Sequence, residues 1–172
     1  MKKALTYAGA IMTALSIAGS SASAQSVYGQ ERARAIGEMT DEAILAALQE
    51  DGRVSMSGGF FTTDSAALTE TSSEVLFKVA SAMALLEEMR LVIVGHTDSV
   101  GDFYYNIDLA ERRANAVRDA LLGEPYNVSE KRLVAMGAGP IAPVASNLSE
   151  EGRALNRRVE FIMLDEELLT GN

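Results

Sequence analysis

Two charged residues stand out as candidates for binding chemistry, Asp98 and Arg113. Asp98 lies in the polar segment Gly95-His-Thr-Asp-Ser-Val-Gly101, directly after the apolar run Leu91-Val-Ile-Val94. Arg113 lies in a later segment with helical spacing. Segments that follow the carboxyl end of a strand are favoured places for binding groups. Asp98 is therefore a candidate partner for Arg113, or for a ligand lying between them.

The helical phase of Arg113 is unusual. At about 100° per residue, Arg113 falls in the middle of an apolar stripe, whereas Arg112 points to solvent. The other members of the stripe are Leu109, Ala110, Val117 and Leu121. A guanidinium there has to extend to solvent or meet an anion, because an unpaired buried charge is costly. A structural ion pair and a ligand-binding role both remain open.

The elements that must position these residues alternate between helices and strands. Thr40 is the predicted N-cap of a short helix, and a capping box at Thr71–Glu74 is predicted to open another. In chain order, we expect a helix at Asp41–Asp51, a strand at Arg53–Ser57, a helix from Thr71, a strand at Leu91–Val94, a helix at Tyr105–Leu122, and strands at Leu133–Met136 and Val159–Leu164. This order predicts an α/β sandwich, with a small sheet packed against helices.

The first residues have the pattern of an export signal. A basic start, Met1-Lys-Lys3, precedes an apolar stretch and the small-residue site Ala22-Ser-Ala24. We therefore expect residues 1–24 to be a signal peptide that is cleaved before Gln25. Since no Cys follows this site, we expect no lipid attachment there. Cleavage removes Lys2 and Lys3 and no acids, so the net charge goes from −9 to −11.

Composition narrows the possible functions. The 172 residues carry 15 Lys and Arg against 24 Asp and Glu, which disfavours nucleic-acid binding because phosphate contacts need clustered cations. With no Cys and only His96, thiolate and multi-histidine metal sites are excluded, and we expect neither a metal nor a cofactor. No Ser has a spacing that suggests a triad with His96, which we interpret as structural.

Several motifs in order resemble OmpA-like (outer-membrane protein A C-terminal type) peptidoglycan-binding domains. The matching segments are Gly95–Gly101, Tyr105-Asn106, Leu109-Ala-Glu-Arg-Arg113-Ala114, Gly137-Ala-Gly139 and Gly152-Arg-Ala-Leu-Asn-Arg157-Arg158-Val-Glu160, with Phe61–Leu68 resembling the family loop before them. The resemblance spans roughly residues 53–164. Two departures are Thr62, where the family usually has an acid, and Ala110, where it usually has Ser.

The resemblance implies a mixed sheet packed with helices. It also divides the mature chain into an arm, a domain and a tail. We expect residues 25–52 to form an N-terminal arm with a short helix, residues 53–164 to form the OmpA-like domain, and residues 165–172 to form an acidic tail. The mature protein is expected to be soluble, in the periplasm, and associated with the outer membrane or cell wall. No integral membrane segment is expected after signal cleavage.

The implied ligand is the peptide stem of Gram-negative peptidoglycan, which contains meso-diaminopimelate. This amino acid ends in an amine and a carboxylate on one carbon, so its recognition needs an anion beside a cation. By resemblance, Asp98 takes the amine and Arg113 takes the carboxylate. Further implied contacts are Asn106, Leu109, Arg157, Thr62 and Thr63. For Arg158, an ion pair at the end of the sheet is the better interpretation.

Three functions follow from these observations. The first is non-catalytic peptidoglycan binding. The second is an envelope adaptor that binds a protein partner and has weakened or lost peptidoglycan binding, which Thr62 favours. The third is a cell-wall hydrolase, for which the sequence offers no convincing pair of catalytic carboxylates.

Overall fold

The computed structural model of the chain describes residues 39–62 and 64–164. The predicted signal peptide, residues 25–38 of the predicted arm, Thr63 and the predicted tail 165–172 lie outside the described residues. The elements in chain order are α1 (Asp41–Asp51), β1 (Arg53–Ser57), α2 (Glu70–Leu85), β2 (Leu91–His96), α3 (Phe103–Leu122), a 3₁₀ turn (Glu130–Arg132), β3 (Leu133–Gly139), α4 (Glu150–Asn156) and β4 (Arg158–Met163).

The four strands form one mixed sheet in the order β1-β4-β2-β3. Strand β4 is antiparallel to both of its neighbours, β1 and β2. Strands β2 and β3 are parallel, and α3 is the crossover that such a pair requires. A mixed sheet packed with four helices confirms the predicted fold class.

The core lies between the sheet and helices α1, α2 and α3. Helix α1 contributes Ile44 and Leu48, both fully buried, so this helix packs into the same core as the strands. The apolar stripe predicted for α3 is buried as expected, including Val117 and Leu121. Strand β2 is central and buried along most of its length, which the continuous apolar run indicated.

Helix α2 begins earlier than the sequence predicted. Thr69, not Thr71, is the N-cap, and Ser72 completes the capping box. The Thr69 hydroxyl also donates to the Gly59 carbonyl at 2.6 Å, and the Ser72 hydroxyl donates to the Phe60 carbonyl. These bonds tie the preceding loop to the helix start. The prediction at Thr71 was wrong because contacts with a distant loop, which local spacing does not contain, select the cap.

Two glycines allow α3 to lie directly on the sheet. A Cβ on Gly95 would collide with the backbone carbonyl of Ala110, and a Cβ on Gly137 would lie 2.5 Å from the Glu111 backbone nitrogen. Gly95 belongs to β2 and Gly137 belongs to β3, so the helix rests on both parallel strands. This close contact sets the distance between α3 and the end of β2, the strand that leads into the turn containing Asp98.

Gly95→Ala should therefore lower the free energy of unfolding by about 1–3 kcal/mol, because the added methyl meets helix backbone that cannot move aside locally. Gly123→Ala is the matched control, since its Cβ would have ordinary contact at 3.5 Å and its φ is −78°. Urea unfolding followed by circular dichroism measures both. Equal stability of the two variants would contradict the close approach.

Candidate functional site

A cleft of about 750 Å³ opens at the carboxyl end of β2. The loop between β1 and α2, the first half of α3, the start of β4 and residues of α4 surround it. Its lining includes Phe61, Thr62, Asp64, His96, Thr97, Asp98, Val100, Tyr105, Asn106, Leu109, Arg113, Glu150, Arg157 and Arg158. It thus contains both an acidic and a basic group that the sequence singled out.

The turn that carries Asp98 is held by side-chain hydrogen bonds. The Asp98 Oδ1 atom accepts from the Val100 backbone N–H at 3.0 Å, and the Asn106 amide donates to the Val100 carbonyl at 2.8 Å. The Ser99 N–H donates to Oδ1 of Asn147 at 3.2 Å. The turn is therefore attached to α3 on one side and to the loop before α4 on the other.

Asp98 pairs with Arg157 rather than with Arg113. The Arg157 Nη1 atom lies 2.7 Å from Asp98 Oδ2, and its Nη2 atom lies 2.7 Å from Glu150 Oε1. The bonds to Asp98 and Glu150 raise the pKa of Arg157, and the bonds from Arg157 and Arg153 lower the pKa of Glu150. The side chain of Asp98 is only 13% exposed, so its orientation is well defined.

Arg113 is buried without a carboxylate partner. It is 8% exposed, its Nε–H donates to the Ser65 carbonyl at 2.9 Å, and its guanidinium lies 5.0 Å from the centre of the Phe61 ring. Within residues 39–62 and 64–164, no carboxylate forms an ion pair with it. Burial lowers the pKa of Arg113, which reflects the cost of a desolvated cation. Among the described residues, then, the structural ion pair considered for Arg113 is not formed.

The loop between β1 and α2 forms the other wall of the cleft and is bound to α3. The Tyr105 hydroxyl donates to Oδ1 of Asp64 at 2.8 Å, and this bond raises the pKa of Tyr105. Asp64 has a positive φ of 53°, and the nearby Thr62 N–H donates to the Ala67 carbonyl at 3.0 Å. Thr62 is exposed and lines the cleft.

Six of the seven residues predicted for the site line this one cleft: Asp98, Arg113, Asn106, Arg157, Thr62 and Leu109. The seventh, Thr63, lies outside the described residues. Asn106 is 5% exposed, and its amide donates to the Val100 carbonyl in the turn that carries Asp98. Asn106 therefore has a structural role in this turn.

Other residues that shape the site were not predicted. Glu150 holds Arg157, Phe61 lies beneath Arg113, and the backbone carbonyl of Ser65 accepts from Arg113. Asn156 is fully buried and bonds to both Ala145 backbone groups, at 3.0 and 2.9 Å. Asn156 was named only within the segment that carries the resemblance, and helix α4, which it ends, was not predicted.

A buried charged pair reaches the cleft, because its arginine, Arg158, is one of the lining residues. Arg158 and Glu160 are 6% exposed and form an ion pair of 2.7 Å, so the ion pair expected for Arg158 is present. His96 is 4% exposed, and neither ring nitrogen has a hydrogen-bond partner in the described structure. Burial and the Arg158 charge lower the pKa of His96 to about 4, and the opposing attraction of Glu160, 3.9 Å away, does not offset them.

The low pKa of His96 predicts a specific pH dependence of stability. Between about pH 6.5 and pH 4, the unfolded chain takes up a proton at this residue that the folded chain does not. The free energy of unfolding should therefore fall as the pH falls through this window, by at most about 1.4 kcal/mol per pH unit from this group.

Urea unfolding of wild type and His96→Gln at several pH values isolates the contribution. The stability of wild type relative to the variant should decrease from pH 6.5 towards pH 4, because Gln does not titrate. A difference between the two proteins that stays constant across the window would show that His96 is not held neutral.

None of the helices in residues 39–62 and 64–164 is long and apolar enough to span a membrane. The same ranges contain no cluster of three or more His, Asp or Glu side chains suited to holding a metal ion.

The chain is similar in sequence to two outer-membrane proteins and to a peptidoglycan-binding protein. The chain is 46% identical over 100 residues to outer membrane porin F of Pseudomonas aeruginosa, covering 58% of the chain and 28% of the porin. It is 38% identical to outer membrane protein A of Bordetella avium, covering 59% and 52%, and 37% identical to the peptidoglycan-binding protein ArfA of Mycobacterium tuberculosis, covering 60% and 31%. The chain thus spans about half or less of the length of these relatives.

Solved structures share the fold. The cell wall anchor of the T6SS from Pseudomonas aeruginosa superposes with a TM-score of 0.56 at 32% identity, covering 66% of this chain and 81% of that one. The peptidoglycan-associated lipoprotein of Burkholderia pseudomallei gives a TM-score of 0.56 at 30% identity, covering 61% and 87%. Residues 60–157, more than half of the chain, match the OmpA family. They include every residue that lines the cleft except Gly58, Gly59 and Arg158. The chain belongs to the OmpA family.

Proposed function

We propose that this chain binds peptidoglycan without catalysing a reaction, and that it does so in the cell envelope through the diaminopimelate of the peptide stem. The observation that carries the proposal is the buried guanidinium of Arg113, which faces a cleft and has no carboxylate partner among the described residues. A ligand carboxylate would supply the missing anion. It would also recover the electrostatic energy lost when the cation was desolvated.

The names of related proteins support peptidoglycan as the ligand. One relative is a peptidoglycan-binding protein, and two structural neighbours are a cell wall anchor and a peptidoglycan-associated lipoprotein. Other relatives are outer-membrane proteins, which supports a place in the envelope, and the predicted signal peptide supports the periplasm.

The chemistry of diaminopimelate suits the two charges of the cleft. One carbon near its free end carries both an amine and a carboxylate. Asp98 and Arg113, which both line the cleft, offer an acceptor for the amine and a donor fork for the carboxylate. Asp98 already accepts from Arg157 and from the Val100 N–H. A carboxylate has about four acceptor positions, so it can still accept from an ammonium group. In this arrangement Arg157 orients Asp98 and adds positive charge near the ligand carboxylate.

An envelope adaptor that has lost its glycan ligand is the second candidate. The observation that favours it is Thr62, an exposed neutral residue on the cleft wall where the resemblance led us to expect an acid. Asp64 partly compensates, because it adds a carboxylate to the same wall two positions later. The charges of Asp64 and Asp98, which both line the cleft, each act to raise the pKa of Arg113 and so favour its charged form.

Asp98→Asn and Arg113→Met should each weaken binding to purified sacculi by about 30-fold or more. The first removes the proposed partner of the ligand amine, and the second removes the proposed partner of the ligand carboxylate. Both substitutions keep the approximate size of the side chain. Asp119→Asn and Arg118→Met are matched controls, since these two side chains pair with each other on α3 and neither lines the cleft. Co-sedimentation gives the affinities, and circular dichroism confirms that each variant is folded.

The outcomes separate the alternatives. Folded variants that bind sacculi like wild type would contradict the assigned site, and a wild-type chain that ignores sacculi but captures an envelope protein would favour the adaptor. Muropeptides released into the supernatant would contradict a non-catalytic role. A stem peptide with Lys in place of diaminopimelate lacks the terminal carboxylate and should bind as weakly as Arg113→Met binds the natural peptide. Equal affinity for both peptides would contradict diaminopimelate recognition.

A further inference from the structure

Three cations without an anionic partner lie at one end of the sheet. Arg53 is the first residue of β1, Arg90 directly precedes β2, and Lys131 lies two residues before β3. Within residues 39–62 and 64–164, none of the three forms an ion pair. The other described arginines each meet a carboxylate or a backbone carbonyl. We call these three residues the strand-start cations.

The sheet face opposite the helices carries apolar side chains that the described residues leave partly uncovered. Alternate residues of β3 pack against the core, so Val134 and Met136 point to the opposite face, where they are 50% and 52% exposed. Val134 pairs in register with Val92 of β2, which pairs with Ile162 of β4. We call these four residues the open face. It ends at β3, an edge strand of the described sheet, and edges of this kind are normally covered or paired.

The chain leaves the sheet at the end that carries the strand-start cations. Strand β4 is antiparallel to β1 and β2, so it ends beside their first residues. Leu164 follows β4, and its N–H donates to the Arg90 carbonyl at 2.9 Å. The sequence continues Asp165-Glu-Glu-Leu-Leu169, which is three acids followed by two leucines. This order matches the surface, because the cations lie nearest to Leu164 and the open face lies beyond them.

We propose that residues 165–169 fold back across the open face. The three acids lie against the strand-start cations, and Leu168 and Leu169 cover the apolar side chains of β3. From β4 to β3 the sheet is two strand spacings wide, about 10 Å, and four extended residues after Leu164 span about 13 Å. The segment is therefore long enough to reach Val134. This contact is separate from the cleft and does not require a ligand at Arg113.

The two kinds of side chain have different parts in this contact. Exposed ion pairs contribute little individually, so burial of Leu168 and Leu169 supplies most of the stabilisation. The acids select the face, since the positive charge without an anionic partner lies at this end of the described sheet. The covered edge is then closed to pairing with a strand of another chain.

Introduced cysteine pairs test this placement, because the chain contains no Cys. In the full chain, Leu168→Cys or Leu169→Cys is combined with Val134→Cys, and in the control with Glu88→Cys. Glu88 is exposed and two residues from Arg90, so the segment can reach it, but it lies in the turn between α2 and β2. Under mild oxidation, at least one Val134 pair should form an intramolecular disulfide about fivefold or more faster than its Glu88 counterpart.

Neutralising the acids tests the role of charge. Asp165→Asn, Glu166→Gln and Glu167→Gln together should slow formation of the Val134 disulfide about two- to tenfold, because the segment loses its attraction to the strand-start cations. About 1 M NaCl should slow it similarly, since salt screens exposed charges. Met136→Cys is a second reporter on the open face, and circular dichroism confirms that each reduced variant is folded.

The contrary outcomes are distinct. Equal rates for the open-face and Glu88 pairs, at both Leu168 and Leu169, would overturn the proposed contact. A disulfide that joins two chains, identified as a dimer by mass spectrometry, would assign the open face to a second copy instead. A fast Val134 disulfide that neither charge neutralisation nor salt slows would overturn the role of the strand-start cations. None of these results depends on whether the chain binds peptidoglycan.

Discussion

The arrangement of the cleft depends on the cost of keeping one guanidinium out of water. Arg113 lies in the apolar stripe of α3, where its neighbours Leu109 and Val117 are buried in or beside the core. The structure meets only part of that cost, through the Ser65 carbonyl and the ring of Phe61. The remaining donor capacity faces the cleft, so a bound anion would stabilise both the complex and the wall that contains the arginine.

The rest of the fold holds this cation beside an anion. Gly95 lets α3 rest directly on β2, the strand that leads to Asp98. Arg157, from the segment between α4 and β4, fixes the Asp98 carboxylate and frees Arg113 from pairing with it. Three distant parts of the chain thus give a cleft with separated charges in an acidic protein of net charge −9. Recognition therefore depends on local geometry, because the net negative charge of the whole molecule repels a carboxylate ligand at long range.

Sequence periodicity predicted the four strands, the first three helices and the position of Arg113, because helix phase and strand alternation are local properties. It missed the short helix α4. It could not predict that Asp98 pairs with Arg157, since spacing along the chain carries no information about distance between separate elements. For the same reason, the cap at Thr69 and the carbonyl of Ser65 were missed: loop contacts decide both. The family resemblance, not periodicity, brought Arg157 into the predicted site.

An NMR titration of the ¹⁵N-labelled chain with the diaminopimelate-containing stem peptide tests the central claim most directly. We predict saturable shifts of the Arg113 Nε–H and of the backbone amides of Ser99 and Val100, because a ligand carboxylate and amine would bind beside them. Saturable shifts confined to another surface, such as the exposed side chains of Val134 and Met136 on β3, with an unchanged Arg113 signal, would contradict the account.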